Sequence, residues 1–357
     1  MRYDPGFSQG RVTAIRDAAR GVREIEIAPE RGALPYAAGS HVDLRVPLEH
    51  FPAKWMPVCV AKMRPDKEIE PRSDSIGTEK ALGAGDIRSY SLVGEPSGGT
   101  YRIAVKAQSR SRGGSLFMWS LETGDRIDIT SPIAGFELGL AAPAYLMIAG
   151  GIGITPLIGM AAILARRGAP FRFCYAGRSR GEMAYLGELQ AMLGERLQIF
   201  AADEGDRIDL RREIAGLCPN AELYLCGPMR LLAEARHIWT EDGRAPAALR
   251  FETFGSSGGF ESVPFLVQLP RLGIDVRVPE NVSMLDALEG AGVQVLADCR
   301  RGECGLCALD VIEADGMIDH RDVFFSDCEK RESRKICACV SRVSGGHIVI
   351  DPPYRPD

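Results

Sequence analysis

The sequence predicts a multidomain fold: an antiparallel β-barrel, then a parallel α/β domain, then a small C-terminal α+β domain. Three observations carry it. Short runs of alternating polar and apolar residues fill the first 140 positions, continuous apolar runs alternating with helical segments follow, and six of the ten cysteines crowd between Cys299 and Cys339. At 357 residues the chain exceeds one ordinary domain, and each part is long enough to bury its own core.

The barrel is read from Arg23-Glu-Ile-Glu-Ile27, His41-Val-Asp-Leu-Arg-Val46, Tyr101-Arg-Ile-Ala-Val105 and Arg126-Ile-Asp-Ile129. Period-two runs punctuated by Gly and Pro are antiparallel strands with one face inward. Residues from about 48 to 85 break the pattern with prolines and mixed charges and read as an insertion. The second domain shows apolar strands at 144–149, 171–176, 198–202 and 222–226, which need burial on both faces and so belong to a parallel sheet covered by helices. Phe254-Gly-Ser-Ser-Gly-Gly-Phe260 is a flexible linker, since glycine and serine bury little and lose much entropy on ordering. Strands at 264–268 and 275–278 then lead to a helix from Ser283 to about Gly290, with Ser283 as N-cap. The boundaries are 1–141 for the barrel, 142–254 for the α/β domain, 255–263 for the linker and 264–357 for the last domain.

Composition narrows the function. A net charge of -5 offers no electrostatic footprint for nucleic acid. The N-terminus lacks the basic start and apolar run of a signal peptide, and the longest apolar stretch, around 141–153, is too short and glycine-rich to span a bilayer. The expectation is a cytoplasmic protein with no membrane partner. In such a protein, clustered cysteines point to metal binding or catalysis rather than to disulfides.

Cys299-Arg-Arg-Gly-Glu-Cys304-Gly-Leu-Cys307 has the C-x4-C-x2-C spacing of plant-type 2Fe-2S ferredoxins, in which a lone fourth ligand follows much later. Three thiolates must converge from one loop, and Gly302 and Gly305 let backbone N–H groups approach the bridging sulfides. A zinc site would pair two short spacings, for which Cys337-x-Cys339 is a poor second half. The fourth ligand is Cys337 or Cys339, with Cys328 a distant third, and spacing does not choose among them.

Two further motifs suit phosphate. Ser111-Arg112-Gly113-Gly114-Ser115 places a glycine pair where a helix opens, and exposed N–H groups at a helix start favour an anion. Gly150-Gly151-Ile152-Gly153-Ile154-Thr155-Pro156 follows an apolar strand and precedes a helix, the general strand, glycine turn and helix arrangement for phosphate. It is not the GxGxxG dinucleotide fingerprint. Leu225-Cys226-Gly227-Pro228-Met229 ends a later strand.

Taken with Arg88-Ser89-Tyr90-Ser91, an RxYS motif, and Ala104-Val105-Lys106, these segments resemble the ferredoxin-reductase superfamily in order and spacing. The C-terminal part from Asp298 on, including Asp319-His320-Arg321-Asp322 and Val340-Ser341-Arg342, is similar to phthalate dioxygenase reductase and vanillate O-demethylase reductase, and the likeness covers nearly the whole chain. The resemblance implies an FMN-binding barrel, a ferredoxin-reductase-like NAD(H) domain and a β-grasp ferredoxin domain. It implies that Arg88 faces the flavin phosphate with Arg112 and Ser115, that Tyr90 packs on the isoalloxazine or ribityl side, and that Ser91 brings a hydroxyl near N5. It also implies a nicotinamide seat near Thr155, Cys226 and Gly227, with Phe254 occupying the stacking position until the nucleotide arrives. In those reductases the last cluster ligand directly precedes Val-Ser-Arg, which selects Cys339. His320 has no Rieske spacing around it and takes a structural role.

The loop Gly177-Arg178-Ser179-Arg180 has arginines for a 2′-phosphate and no acidic residue for a free ribose hydroxyl, yet the resembling reductases mostly use NADH, which is the expectation, with NADPH the alternative. Because a hydride carries two electrons and the cluster takes one at a time, a flavin has to stand between them. The implied function is the reductase component of a Rieske-type oxygenase system, carrying electrons from NADH through FMN and the cluster to a terminal oxygenase. The alternatives are an FAD-containing reductase serving another acceptor such as a diiron monooxygenase, and an electron-transfer subunit of a dehydrogenase complex.

Overall fold

The computed structural model describes residues 6–46, 86–95, 99–107, 114–254, 260, 262–280 and 282–351. The expected insertion at 48–85, Ser111, Arg112, Gly113 and most of the expected linker lie outside them. The chain forms two compact units, Met1–Glu252 and Thr253–Asp357.

In the first unit, β1 (Ser8–Ala19), β2 (Val22–Pro29), β3 (His41–Val46), β4 (Asp86–Ser91), β5 (Tyr101–Lys106) and β6 (Arg126–Ile129) form one antiparallel sheet in the order β4-β3-β6-β1-β2-β5. A bridge between Leu92 and Ile103 joins its two edges, so the sheet closes on itself. The alternation seen in the sequence sets the inward face: Ile25, Ile27, Val42, Leu44, Ile103, Val105, Ile127 and Ile129 form one buried cluster. Slipping a strand by one residue would turn these groups to water, which fixes the register. Helix α1 (Gly114–Ser120) adds Met118 and Trp119 to the same cluster.

Five parallel strands follow: β7 (Tyr145–Gly150), β8 (Phe171–Gly177), β9 (Leu197–Ala201), β10 (Glu222–Cys226) and β11 (Leu249–Glu252), in the order β11-β10-β7-β8-β9. Every residue of β7 is buried, as a central parallel strand requires. Helices α2 (Ile154–Arg166), α3 (Leu186–Leu193), α4 (Leu210–Ala215) and α5 (Met229–Glu241) alternate with the strands. The barrel is fastened to this domain at Glu24 of β2, a fully buried carboxylate. It accepts from Arg16 Nε at 2.7 Å and from the Tyr185 hydroxyl at 2.7 Å. Burial of that carboxylate is tolerable because it is paired and hydrogen-bonded.

The second unit is an α+β domain. Strands β12 (Phe265–Leu269), β13 (Ile274–Val278), β14 (Ala308–Ala314), β16 (Lys335–Cys337) and β18 (His347–Asp351) form a mixed sheet ordered β13-β12-β18-β14-β16, while β15 (Ile318–Asp319) pairs with β17 (Arg342–Val343). Helix α6 (Met284–Gly290) starts as expected at Ser283, whose side chain accepts from Asp286 N–H. Helix α7 (Asp327–Glu332) opens on a capping box between Ser326 and Glu329.

Candidate functional site

The parallel sheet begins at its centre with β7, runs outward through β8 and β9, then returns to β10 on the other side of β7. The crevice beyond the carboxyl ends of β7 and β10 is therefore the topological switch point, where open α/β sheets bind ligands. Both glycine turns lie there. A Cβ on Gly153 would stand 2.1 Å from the Cys226 carbonyl oxygen, and one on Gly150 would stand 2.4 Å from Pro228 Cδ and 3.0 Å from Gly227 Cα. The two backbones touch, so only glycine fits at these positions. Thr155 and Pro156 are buried in the first turn of α2, with the Thr155 hydroxyl donating to Ile152 O at 3.1 Å. Cys226 is fully buried at the end of β10.

The barrel reaches the same crevice through β4. Ser91 Oγ donates to Glu252 Oε2 at 2.9 Å, and Glu252 stands beside Cys226 in the β10–β11 register. The buried Glu252 carboxylate thus links the flavin motif to the nucleotide turn. Glu252 is a site residue that sequence reading missed, since its partner Ser91 lies 161 residues away. Lys106, at the end of β5, has its ammonium 3.8 Å from Glu182 and 4.0 Å from where a Gly151 Cβ would be.

Arg88 lies along the start of α1, where a Cβ on Gly114 would meet its Nε at 3.0 Å. Arg88 and Ser115 are thereby brought to one helix end, while Arg112 and Gly113 fall outside the described residues. Ser89 turns the other way and donates to Asp43 Oδ1 at 2.6 Å. Tyr90 packs half-buried on the barrel cluster. Ala104 and Val105 are packed side chains, one in the core shared with the α/β domain and one in the barrel core.

At the end of β8, Arg178 is exposed, whereas Ser179 Oγ accepts from Arg20 at 3.3 Å. The neighbouring Arg180 is engaged, its Nε donating to both Glu204 oxygens at 2.8 and 3.0 Å. Arg20, in the turn after β1, is a contributor to this corner that sequence reading missed.

In the second unit the cysteine loop is held in a tight coil, with Arg300, Gly302 and Gly305 all at positive φ (49°, 77° and 74°). The loop turns its N–H groups toward sulfur: Arg301, Glu303 and Cys304 each donate to Cys299 Sγ at 3.4 Å. Cys307 Sγ and Cys339 Sγ lie 3.1 Å apart. Hydrogen bonds from the Cys337 and Cys339 thiols hold Cys307 well below the ordinary thiol range, while burial pushes Cys299 up. The sulfurs gather in two neighbouring groups, Cys299 with Cys304 and Cys307 with both Cys337 and Cys339. Pairs of thiolates with backbone N–H groups between them suit two irons. Cys328 is exposed on α7, 3.8 Å from Glu332. Phe254, near the start of the second unit, is 40% exposed.

Comparison with known proteins agrees with this geometry. The family described as "2Fe-2S iron-sulfur cluster binding domain" matches residues 268–344. The chain is 33% identical over 344 residues to the heme-dependent oxidative N-demethylase beta subunit of Ectopseudomonas mendocina (strain ymp), covering 96% of this chain and 97% of that protein. It is 30% identical over 367 residues to the phthalate 4,5-dioxygenase oxygenase reductase subunit of Pseudomonas putida, covering 98% of each. Among solved structures, phthalate dioxygenase reductase, described as modular for electron transfer from pyridine nucleotides to [2Fe-2S], superposes with a TM-score of 0.71 at 28% identity over 97% of this chain and 98% of that one. With a closed antiparallel barrel, a parallel sheet and a C-terminal 2Fe-2S domain in that order, the chain belongs to the phthalate dioxygenase reductase family of oxygenase reductase subunits.

Proposed function

We propose that this oxidoreductase draws electrons from NADH, holds FMN in its barrel, and delivers single electrons through a 2Fe-2S cluster on Cys299, Cys304, Cys307 and Cys339 to a Rieske-type terminal oxygenase. The observation that carries the reading is the Ser91–Glu252 bond. It brings the flavin motif of the barrel to the switch point where the two glycine turns meet.

A flavin bound here would supply the conversion of a two-electron hydride into single electrons that a cluster can accept. The chain's own residues do the rest. Arg88, against the start of α1, supplies a guanidinium for a flavin phosphate, with Ser115 beside it. Glu252 fixes the Ser91 hydroxyl in one direction, so that its oxygen is oriented toward the flavin edge before substrate arrives. Gly150, Gly153 and Gly227 keep the crevice floor free of side chains, and Thr155 and Cys226 border the nicotinamide seat. Phe254 is the aromatic assigned to the stacking position.

For the fourth cluster ligand, Cys339 is favoured over Cys337 because it directly precedes Val340-Ser341-Arg342, the position of the last ligand in the resembling reductases, and its Sγ lies 3.1 Å from Cys307 Sγ. NADH is favoured over NADPH by the likeness to phthalate dioxygenase reductase, and of the two loop arginines Arg180 is engaged by Glu204 while Arg178 is exposed. The domain limits proposed for these roles are 1–141, 142–254 and 264–357.

The acceptor separates two readings. The likeness to phthalate 4,5-dioxygenase reductase favours a Rieske oxygenase, and the likeness to the N-demethylase subunit favours a heme-dependent partner. Stopped-flow mixing of the NADH-reduced chain with a Rieske oxygenase of the phthalate dioxygenase class decides. Rapid reoxidation of the reductase with reduction of the Rieske centre is expected; no electron transfer to that centre would overturn the proposed acceptor. FMN rather than FAD is checked by chromatography of the heat-released flavin.

A further inference from the structure

The Asp319-His320-Arg321-Asp322 stretch has no part in the electron path described above, yet it is among the most buried polar segments of the second unit. Asp322 is 0% exposed, and Asp319, Arg321 and Ser341 are also buried. Asp322 joins three pieces of chain. Its backbone packs on the cysteine loop, where a Cβ on Gly302 would stand 2.9 Å from Asp322 Cα, and the next residue donates back, Val323 N to Gly302 O at 2.9 Å. Its Oδ1 accepts from Ser341 Oγ at 3.1 Å, two residues beyond Cys339. Its Oδ2 accepts from Phe325 N at 3.0 Å at the approach to α7.

The charges around this carboxylate are few. His320 Nδ1 is 3.6 Å from Oδ1 and Lys330 Nζ is 3.8 Å from Oδ2, with Lys330 also donating to the Asp322 carbonyl. Arg321 does not neutralise it, because its Nε donates to Asp319 at 2.7 Å and its backbone N–H to Ser341 Oγ. A carboxylate buried among protein dipoles is screened weakly, so its field extends to whatever stands behind the Gly302 turn.

We propose that Asp322 is a positioning and potential-setting residue for the iron-sulfur cluster: it locks the Cys339 turn to the Cys299 loop and places a fixed negative charge against the cluster, lowering its reduction potential. This rests on the cluster being held by the cysteine loop. A lower potential restrains electrons from settling on the cluster and so favours their passage onward to an acceptor. Hydrogen bonding and buried charge around cluster thiolates are general levers on potential.

The test uses the full chain with its cofactors. Iron content and the EPR signal of the dithionite-reduced wild type establish the cluster first, so absence of a 2Fe-2S signal there would count against the cluster itself rather than against Asp322. Asp322→Asn keeps the acceptor oxygen and the side-chain shape but removes the charge. EPR-monitored redox titration is expected to show full iron occupancy, a midpoint shifted to more positive potential and altered g-values. Lys330→Met, in the partly exposed helix α7, removes the lysine ammonium beside the carboxylate and is expected to shift the midpoint in the opposite direction. Opposite signs in two variants are not a signature of mere destabilisation. A wild-type midpoint in iron-replete Asp322→Asn overturns the proposal; should that variant fail to assemble, an unshifted midpoint in Lys330→Met overturns it.

Discussion

The charges in the loop after β8 set an expectation about the nicotinamide cofactor. Arg180 would be the natural partner of a 2′-phosphate, but its Nε is committed to both oxygens of Glu204. Glu204→Ala should release that guanidinium for an incoming phosphate. A charge-assisted hydrogen bond contributes about 1.5–3 kcal/mol, equivalent to roughly 10- to 100-fold in binding. The expected outcome is a rise of at least about 10-fold in kcat/KM for NADPH, with the NADH value nearly unchanged, measured by flavin reduction under anaerobic conditions. Equal constants before and after substitution would show that Arg180 lies outside the nucleotide site. This corner was half legible in the sequence. The loop residues could be read directly, but Glu204 reaches Arg180 from 24 residues away and Arg20 reaches Ser179 from 159, and no local pattern announces such pairs. The same distance hid the Ser91–Glu252 bond, made across 161 residues. Cys337 and Cys339 both end up buried near Cys307, which is why spacing alone left them unresolved.

Elements were far more readable than contacts. β3 occupies His41–Val46 and β6 Arg126–Ile129, as the alternation in sequence requires, because period-two burial is written residue by residue. What the pattern lacked was closure: the Leu92–Ile103 bridge joins edge strands and has no local code. The glycine turns show how much an element can depend on what meets it. Gly153 would place a Cβ 2.1 Å from a backbone oxygen of the facing turn, whereas Gly187 in α3 has nothing within 4 Å. Gly153→Ala must therefore push two backbones apart at a cost of about 1–3 kcal/mol or more, and it should widen the crevice. Gly187→Ala should instead stabilise by about 0.5–1 kcal/mol through helix propensity. Thermal unfolding of the two variants is expected to move in opposite directions, with a raised KM for NADH only in Gly153→Ala. A Gly153→Ala protein with unchanged melting and KM would mean that the two turns do not bear on each other. Tyr185 gives a second test at this scale. Its hydroxyl, pushed well above the usual phenol range by burial, donates to the buried Glu24 and ties the α/β domain to the barrel. Tyr185→Phe leaves that carboxylate short of a donor and should cost about 1–3 kcal/mol in denaturant unfolding.

Across the whole molecule, the division of labour follows from where the chain breaks. The flavin and nucleotide motifs share the first compact unit, whereas all four proposed cluster cysteines belong to the second, with its own buried core. Chemistry that needs only the first unit should survive loss of the cluster. In Cys304→Ser, one sulfur of the Cys299 and Cys304 pair is replaced by a poorer iron ligand, and the cluster should fail to assemble or be lost. NADH should then still bleach the flavin absorbance at close to the wild-type rate, because Ser91, Glu252 and the glycine turns are untouched. Cytochrome c reduction by NADH, which draws electrons one at a time, should fall by at least about 10-fold, corresponding to a loss of 1.4 kcal/mol or more in transition-state terms. The comparison is made on the same preparation, with flavin content measured to normalise both rates. Unchanged cytochrome c reduction would mean that electrons leave directly from the flavin and that the second unit is not on the path.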